Sequence, residues 1–239
     1  MHCSRLAGCA AGGVTGLLHT KLNIPALLSG ILTMIALWSV NLHVMGNRPN
    51  LSILRKPTVY MPLENLGLDK NTAIIVVGFL CVALIIGALY WFFGTELGMS
   101  IRATGNNQRM VRAQGVNTDA MKILGLMISN GLVALSGALI AQNQSYSDVQ
   151  MGTGSIVIGL ASLIIGEVIF GRRSFMSRLI SLALGAILYR MIIALVLKLG
   201  MPANDLKLFT AITVALALWL PQGKELLRTF RKSMTKEGA

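Results

Sequence analysis

Apolar residues run along this chain in long blocks separated by short polar, basic intervals, with no strict alternation of the kind a half-buried strand would need. A helix crosses a bilayer with about 20 apolar residues, and four blocks approach or exceed that length: Ile24 to Met45, Thr72 to Phe93, Ile123 to Ala141 and Leu179 to Leu199. Ser155 to Phe170 and Leu206 to Leu220 are shorter, and span only with flanking residues or where the protein thins the local bilayer. Leu6 to Leu18 is shorter still, and its start directly after Met1 suggests the tail of a helix whose beginning is missing. The pattern predicts an all-α, polytopic transmembrane helix bundle of about six spans plus a partial N-terminal helix over residues 1–221, followed by a basic tail over 222–239.

Composition agrees. Of 239 residues 54% are hydrophobic and only 13% charged, half the share usual in soluble domains. The formal charge of +12 raises the question of nucleic acid, but the basic residues fall between apolar runs and no aromatic side chains interleave with them to stack bases. Their distribution sets topology instead. With the last helix ending inside, the cytoplasm receives Lys21, the segment with Arg102, Arg109, Arg112 and Lys122, the turn with Arg172, Arg173 and Arg178, and the basic C-terminus. Arg48, Arg55, Lys56, Lys70, Lys198 and Lys207 fall outside, together with a stretch from Gln142 to Gly154 that holds no Lys or Arg. The outer loop from Gly46 to Asn71 is the exception to the charge rule, and Pro49, Pro57 and Pro62 predict an extended, irregular connection there. Cys3, Cys9 and Cys81 lie in apolar stretches without metal-ligand spacing and read as small buried hydrophobes. "LAGC", ending at Cys9, mimics a lipoprotein cleavage box, but too few residues precede it to form the apolar core of a signal peptide.

Small residues predict where helices meet. Gly8, Gly12 and Gly16 recur every fourth position, on one helix face, where they let another backbone approach closely. The polar stretch "RATGNNQRMVRAQGVNTDAMK", Arg102 to Lys122, is punctuated by Gly105 and Gly115, and Asn106 to Gln114 have room for one or two helical turns between them. Such a piece cannot stay in lipid with its backbone ends unsatisfied and its arginines charged, so it lies along the inner surface. A solvated loop, a headgroup-binding segment and a docking element for a cytoplasmic partner all fit that description.

"GMSIRATGNNQRMVRAQGVN", Gly98 to Asn117, resembles the cytoplasmic loop of the permease subunits of bacterial ABC importers of the branched-chain amino acid and ribose group. Gly98, Arg102, Ala103, Gly105, Asn107, Gly115, Val116 and Asn117 match that pattern, while Met110 and Val111 replace its alanine pair and keep an apolar contact face. "LSGALIAQNQSYSDVQMGTGSIVIGLASLIIGEVIFG" and "GAILYRMIIALVLKLGMPANDLKLFTAITVALAL" extend the likeness, which is greatest to the permeases encoded with a substrate-binding lipoprotein. The resemblance implies a coupling helix within a loop of about residues 94–122, fitted to a groove on a separate ATP-binding subunit, with Asn107, Arg109, Met110, Arg112, Ala113 and Gln114 as contacts and Arg102 near the membrane boundary. It implies as further partners an extracytoplasmic substrate-binding lipoprotein and a second permease copy, and it implies that ATP is bound by the partner subunit and that this chain needs no cofactor. Permeases of this group commonly begin with further hydrophobic helices, so an N-terminally shortened chain is expected.

Polar residues inside the spans need partners. Glu167 lies four residues before Gly171 and Arg190 eleven past Leu179, so their Cα atoms stand at depths of roughly 6 and 16 Å. Side chains lean toward their own helix N-terminus, which closes that gap for antiparallel helices. An ion pair, separate snorkelling and substrate contact remain the alternatives. Ser129, Asn130, Gln142 and Gln144, with Ser136 and Asn143, are candidates for a translocation path, or else for interhelical hydrogen bonds; Tyr146 and Asp148 are placed to meet an external binding protein. The spans after Thr72 contain neither His nor Asp, which argues against an intramembrane hydrolase, and no Gly-rich nucleotide loop ending in Gly-Lys-Ser/Thr occurs. The reading is a non-catalytic permease subunit in the inner membrane with a cytoplasmic C-terminus, moving a small solute such as an amino acid. A secondary transporter driven by an ion gradient is the rival.

Overall fold

The computed structural model describes residues 2–54, 58–61, 69–152, 155–170, 174–198 and 212. The expected span from Leu206 to Leu220, apart from Ile212, and the basic tail lie outside the described residues, as do Arg55, Lys56, Arg172 and Arg173. The chain forms two compact units, Met1–Gly152 and Thr153–Ala239.

In the first unit α1 (His2–Thr20) and α2 (Ala26–Val44) form a helical pair, followed by strand β1 (Asn50–Ser52) and the long helix α3 (Lys70–Gly94). Then come α4 (Glu96–Asn106), the six-residue α5 (Gln108–Ala113), α6 (Thr118–Gln144) and strand β2 (Tyr146–Asp148). The second unit contains α7 (Ser155–Phe170) and α8 (Phe175–Lys198). Helices α2, α3, α6 and α8 are long and apolar enough to cross a membrane, and α7 is a shorter apolar helix.

Their exteriors suit lipid. On α2 only Ser29 and Thr33 are buried, and on α3 only Ala73 and Val77, while large apolar side chains such as Leu27, Phe79 and Trp91 stand exposed. In water this distribution would be unstable; in a bilayer the exposed residues meet acyl chains, and contact between helices falls to small and hydroxylated residues.

The main packing of the first unit joins α1 to α6, which are far apart in sequence. A Cβ placed on Gly8 would lie 2.7 Å from the Asn130 carbonyl oxygen, one on Gly12 would lie 2.5 Å from that of Leu126, and one on Gly16 would lie 3.0 Å from Ile123 Cα. The glycine face therefore does what its spacing predicts. Gly131 answers from the other side, where a Cβ would meet the Cys9 sulfur at 2.7 Å. Each helical glycine costs roughly 1 kcal/mol relative to alanine, and the close backbone approach offsets that cost through dispersion contacts. The segment from Leu6 to Leu18 is thus the middle of a 19-residue helix seated along α6.

Between α1 and α2 the chain turns through Asn23, which has a positive φ of 53°, and Pro25 precedes α2 with φ −51°. His19 Nδ1 lies 2.8 Å from the Ile24 carbonyl oxygen across this turn. Deeper in the pair, the Thr15 hydroxyl donates to Thr33 Oγ1 at 2.9 Å, and Thr33 donates to the Ser29 carbonyl.

One feature departs from the irregular outer loop expected between Gly46 and Asn71. Strands β1 and β2 pair antiparallel, with Leu51 opposite Ser147. Ile53 N–H donates to the Ser145 carbonyl at 2.8 Å and Val149 N–H to that of Pro49 at 3.0 Å. Pairing of two polar segments nearly a hundred residues apart leaves no hydrophobic period to read, and three residues per strand are too few to show one.

In the second unit α7 and α8 form an antiparallel hairpin closed on Gly166 and Gly185. A Cβ on Gly166 would collide with the Ser181 carbonyl, and one on Gly185 with that of Ser162.

Candidate functional site

The segment from Thr95 to Asn117 is built from consecutive capped turns. Thr95, extended at φ −75° and ψ 163°, ends α3 and accepts a hydrogen bond from the Gly98 N–H at 3.3 Å, which starts α4. Gly98 is required there, because a Cβ would collide with the Phe92 carbonyl. The sequence placed a single short helix in this loop; the structure has two, and α4 packs on α6, with Ile101 against Gly125.

Asn107 then breaks the helix with φ −149° and caps the next one, its Oδ1 accepting from the Met110 N–H at 3.2 Å. The end of α5 is equally defined. Gly115 takes φ +82°, its N–H donates to the Arg112 carbonyl at 3.0 Å, and the Val116 N–H reaches the Val111 carbonyl at 3.4 Å. This paired bonding around a left-handed glycine is the Schellman arrangement. Asn117 starts α6, its Oδ1 accepting from the N–H groups of Asp119 and Ala120. Two asparagines and one glycine thus fix a six-residue helix whose length would not sustain it alone.

The residues singled out in the sequence divide over this helix. Arg102, Asn107, Arg109, Met110, Ala113 and Gln114 are exposed, with Met110 49% open. Val111, expected to share the apolar contact face with Met110, is buried at 1%. Arg112 is exposed as well, but is bonded within the chain, to Thr118 at 3.0 Å and Asp119 at 3.3 Å.

The candidate pathway residues lie along α6. Ser129 and Ser136 are exposed on the side away from the α1 contact, and Gln144 is exposed at the end of the helix. Asn130 Nδ2 donates to the Leu126 carbonyl of its own helix at 3.0 Å, at the α1 interface. Gln142 is committed to the loop between α2 and α3, its Oε1 accepting from the Val59 N–H at 3.0 Å. Beside it Tyr60, which composition did not single out, is 6% exposed and donates its hydroxyl to the Leu139 carbonyl at 3.2 Å. Burial, and after it Cys81, hold the Tyr60 phenol above its ordinary range. Tyr146 and Asp148 form the two ends of β2, and Asp148 Oδ1 accepts from the Gln150 N–H at 2.6 Å.

In the second unit the structure does not bring Glu167 to Arg190. The Glu167 carboxylate lies 3.6 Å from the Arg178 guanidinium. Glu167 stands three residues before the end of α7 and Arg178 three after the start of α8, so the hairpin sets them level. Arg190 is a further 12 residues along α8, roughly 18 Å, and is exposed.

α6 has 27 residues and is roughly 40 Å long, more than the hydrocarbon thickness of a bilayer. The α4–α5 segment at its start and the ribbon at its end therefore face opposite sides of a membrane. The described residues thus form a multi-pass helical membrane protein with a capped, exposed helical loop at one end of α6 and a polar ribbon at the other.

The family described as "Branched-chain amino acid transport system / permease component" matches residues 2–218, and the chain belongs to it. The chain is 42% identical over 209 residues to a tyrosine transport system permease protein of Clostridioides difficile, covering 87% of this chain and 68% of the relative. It is 32% identical over 219 residues to the uncharacterized protein RP368 of Rickettsia prowazekii, covering 89% and 75%. To the autoinducer 2 import system permease protein LsrC of Yersinia pestis it is 29% identical over 204 residues, spanning 84% of this chain but 55% of that protein. No solved structure matches. The chain is a multi-pass membrane permease of the ABC importer class.

Proposed function

We propose that this permease couples to a separate ATP-binding subunit through α5 and moves a small polar organic solute, with tyrosine the first to test. The observation that carries the coupling reading is the exposed outer face of α5, where Arg109, Met110 and Ala113 stand open on a helix capped at both ends. An apolar side chain with a basic rim suits a groove on a partner, and the caps keep the helix from dissipating a push as local unfolding. Arg102, Asn107 and Gln114 extend the same surface.

In this reading α5 and the C-terminus are cytoplasmic, the ribbon is extracytoplasmic where a substrate-binding lipoprotein would dock, and a second copy of the chain completes the pathway. The exposed Ser129, Ser136 and Gln144 line that path, with hydroxyls and an amide that bind a polar solute without trapping it. Support for an amino acid solute comes from the name of the tyrosine permease relative.

Copurification tests the coupling. The tagged chain, expressed with an ABC ATP-binding subunit of the same organism, is expected to bring that subunit down, and Met110→Asp to lose it while membrane insertion is kept. Uptake by the unaltered chain that needs an ion gradient and no ATPase would establish an ion-driven carrier instead.

A further inference from the structure

Three side-chain bonds converge where α5 meets α6. Arg112 Nη2 donates to Thr118 Oγ1 at 3.0 Å and lies 3.3 Å from Asp119 Oδ1. Gln108, one turn earlier, donates from Nε2 to the same Thr118 oxygen at 3.3 Å. Thr118 is the first residue of α6 and is 1% exposed; Asp119 lies in that helix's first turn.

The faces of α5 are thereby separated. Positions 108, 111 and 112 lie on one side by helical spacing, and there Gln108 and Arg112 are bonded to α6 while Val111 is buried. Positions 109, 110 and 113 lie on the other and are exposed. Arg112 therefore differs in kind from Arg109, although the sequence presents them as two basic residues of one short helix. Each charge of the pair also suits its helix end, a cation in the last turn of α5 and a carboxylate in the first turn of α6. The ion pair is part-exposed, at 63% and 38%, so it adds little to stability by itself. Its consequence is geometric, since it ties the orientation of α5 to the first turn of α6.

α6 carries that orientation onward. At its far end Leu139 and Gln142 bind Tyr60 and Val59, and Ser145 binds Ile53 of the ribbon segment. One continuous helix is thus attached by side chains to the docking element at its start and to the outer cap at its end.

We infer that Arg112 is a positioning residue, the internal joint through which displacement of α5 rotates or shifts α6 and so alters the outer cap, and that it is not a contact to the ATPase. The inference rests on the coupling reading above. In the first turn of α6, Asp119 and buried Thr118 are its counterparts.

The experiment uses the lipid-reconstituted complex with its ATPase and reads hydrogen exchange at residues 58–61 and 145–149, with and without trapping by ATP and vanadate. The unaltered complex is expected to change exchange there by about fivefold on trapping, the lower range of site-to-site coupling. Arg112→Ala is expected to copurify the ATPase in full yet reduce that response to about twofold or less. Arg112→Lys, which keeps a cation within reach of Asp119, should recover part of the response, and the Arg112→Ala/Asp119→Ala double variant should be no worse than either single change. Loss of the ATPase from Arg112→Ala, a full response in it, or additive losses in the double variant would overturn the joint. So would the absence of any response in the unaltered complex. Failure of the docking reading itself is seen separately, as an ATPase that never copurifies.

Discussion

Gly8 of α1 rests directly against Ala134 of α6: a Cβ placed on the glycine would come within 2.5 Å of the alanine Cβ. Four residues on, Gly12 meets backbone in the same way, whereas its neighbour Gly13 points off the seam and would place a Cβ 3.7 Å from Met127 Cγ, an ordinary contact.

Adjacent glycines should therefore respond oppositely to one methyl group. Gly12→Ala is expected to force α1 off α6 and destabilise the bundle by roughly 1–3 kcal/mol, the usual cost of overpacking. Gly13→Ala should be neutral or stabilising by up to about 1 kcal/mol, the helix-propensity gain. Thermal midpoints of the two variants in detergent decide it, and equal midpoints would remove the close-packed seam from the account.

The glycines bracketing α5 make a second contrasting pair. Gly115 holds φ +82°, and a side chain there costs roughly 1–2 kcal/mol; Gly105 lies within α4 with nothing within 4 Å of an added Cβ. Gly115→Ala is expected to loosen the end of α5 and speed hydrogen exchange at Gly115 and Val116, while Gly105→Ala leaves it unchanged.

Tyr60 anchors the loop between α2 and α3 through one hydrogen bond to Leu139. Tyr60→Phe should cost about 1 kcal/mol, read as faster exchange at residues 58–61. The phenol is held above its usual value near 10 by burial first and Cys81 second. A folded-state pKa above the unfolded one means that the stabilisation is whole below about pH 10 and is lost as pH rises through the higher, folded value. Alkaline loosening of the loop should accordingly be present in the native chain and weaker in Tyr60→Phe.

Thr15 and Thr33 join α1 to α2 by a buried hydroxyl pair. Valine at either position should cost about 0.6–1.7 kcal/mol, the range for hydrogen bonds between membrane helices. The double variant should cost less than the sum of the single changes, because either change alone already removes the one bond the two hydroxyls share. Additivity in a double-mutant cycle would show that the bond carries no stability.

Several features of this protein are local and can be read along the chain. Apolar block length marks α2, α3 and α8, because crossing a bilayer is a requirement on each segment separately. Spacing of Gly8, Gly12 and Gly16 marks a close-packing face, and Gly115 with Asn117 marks the break between α5 and α6. The candidate site was legible to the level of its loop and its exposed residues.

What the sequence by itself determined is therefore the membrane-spanning class, the four long helices, the polar segment between α3 and α6 and the glycine face of α1. Only the tertiary structure decided that α6 rather than neighbouring α2 receives that face, that Val111 turns inward while Met110 stays open, that Arg112 binds Thr118 and Asp119, and that Glu167 meets Arg178 in place of Arg190. Hydropathy and capping depend on a residue and its near neighbours, whereas partner choice is set by which surfaces meet across the fold. In a bilayer every helix exterior is apolar, so hydrophobicity cannot rank those partners; close backbone approach and a few hydrogen bonds do.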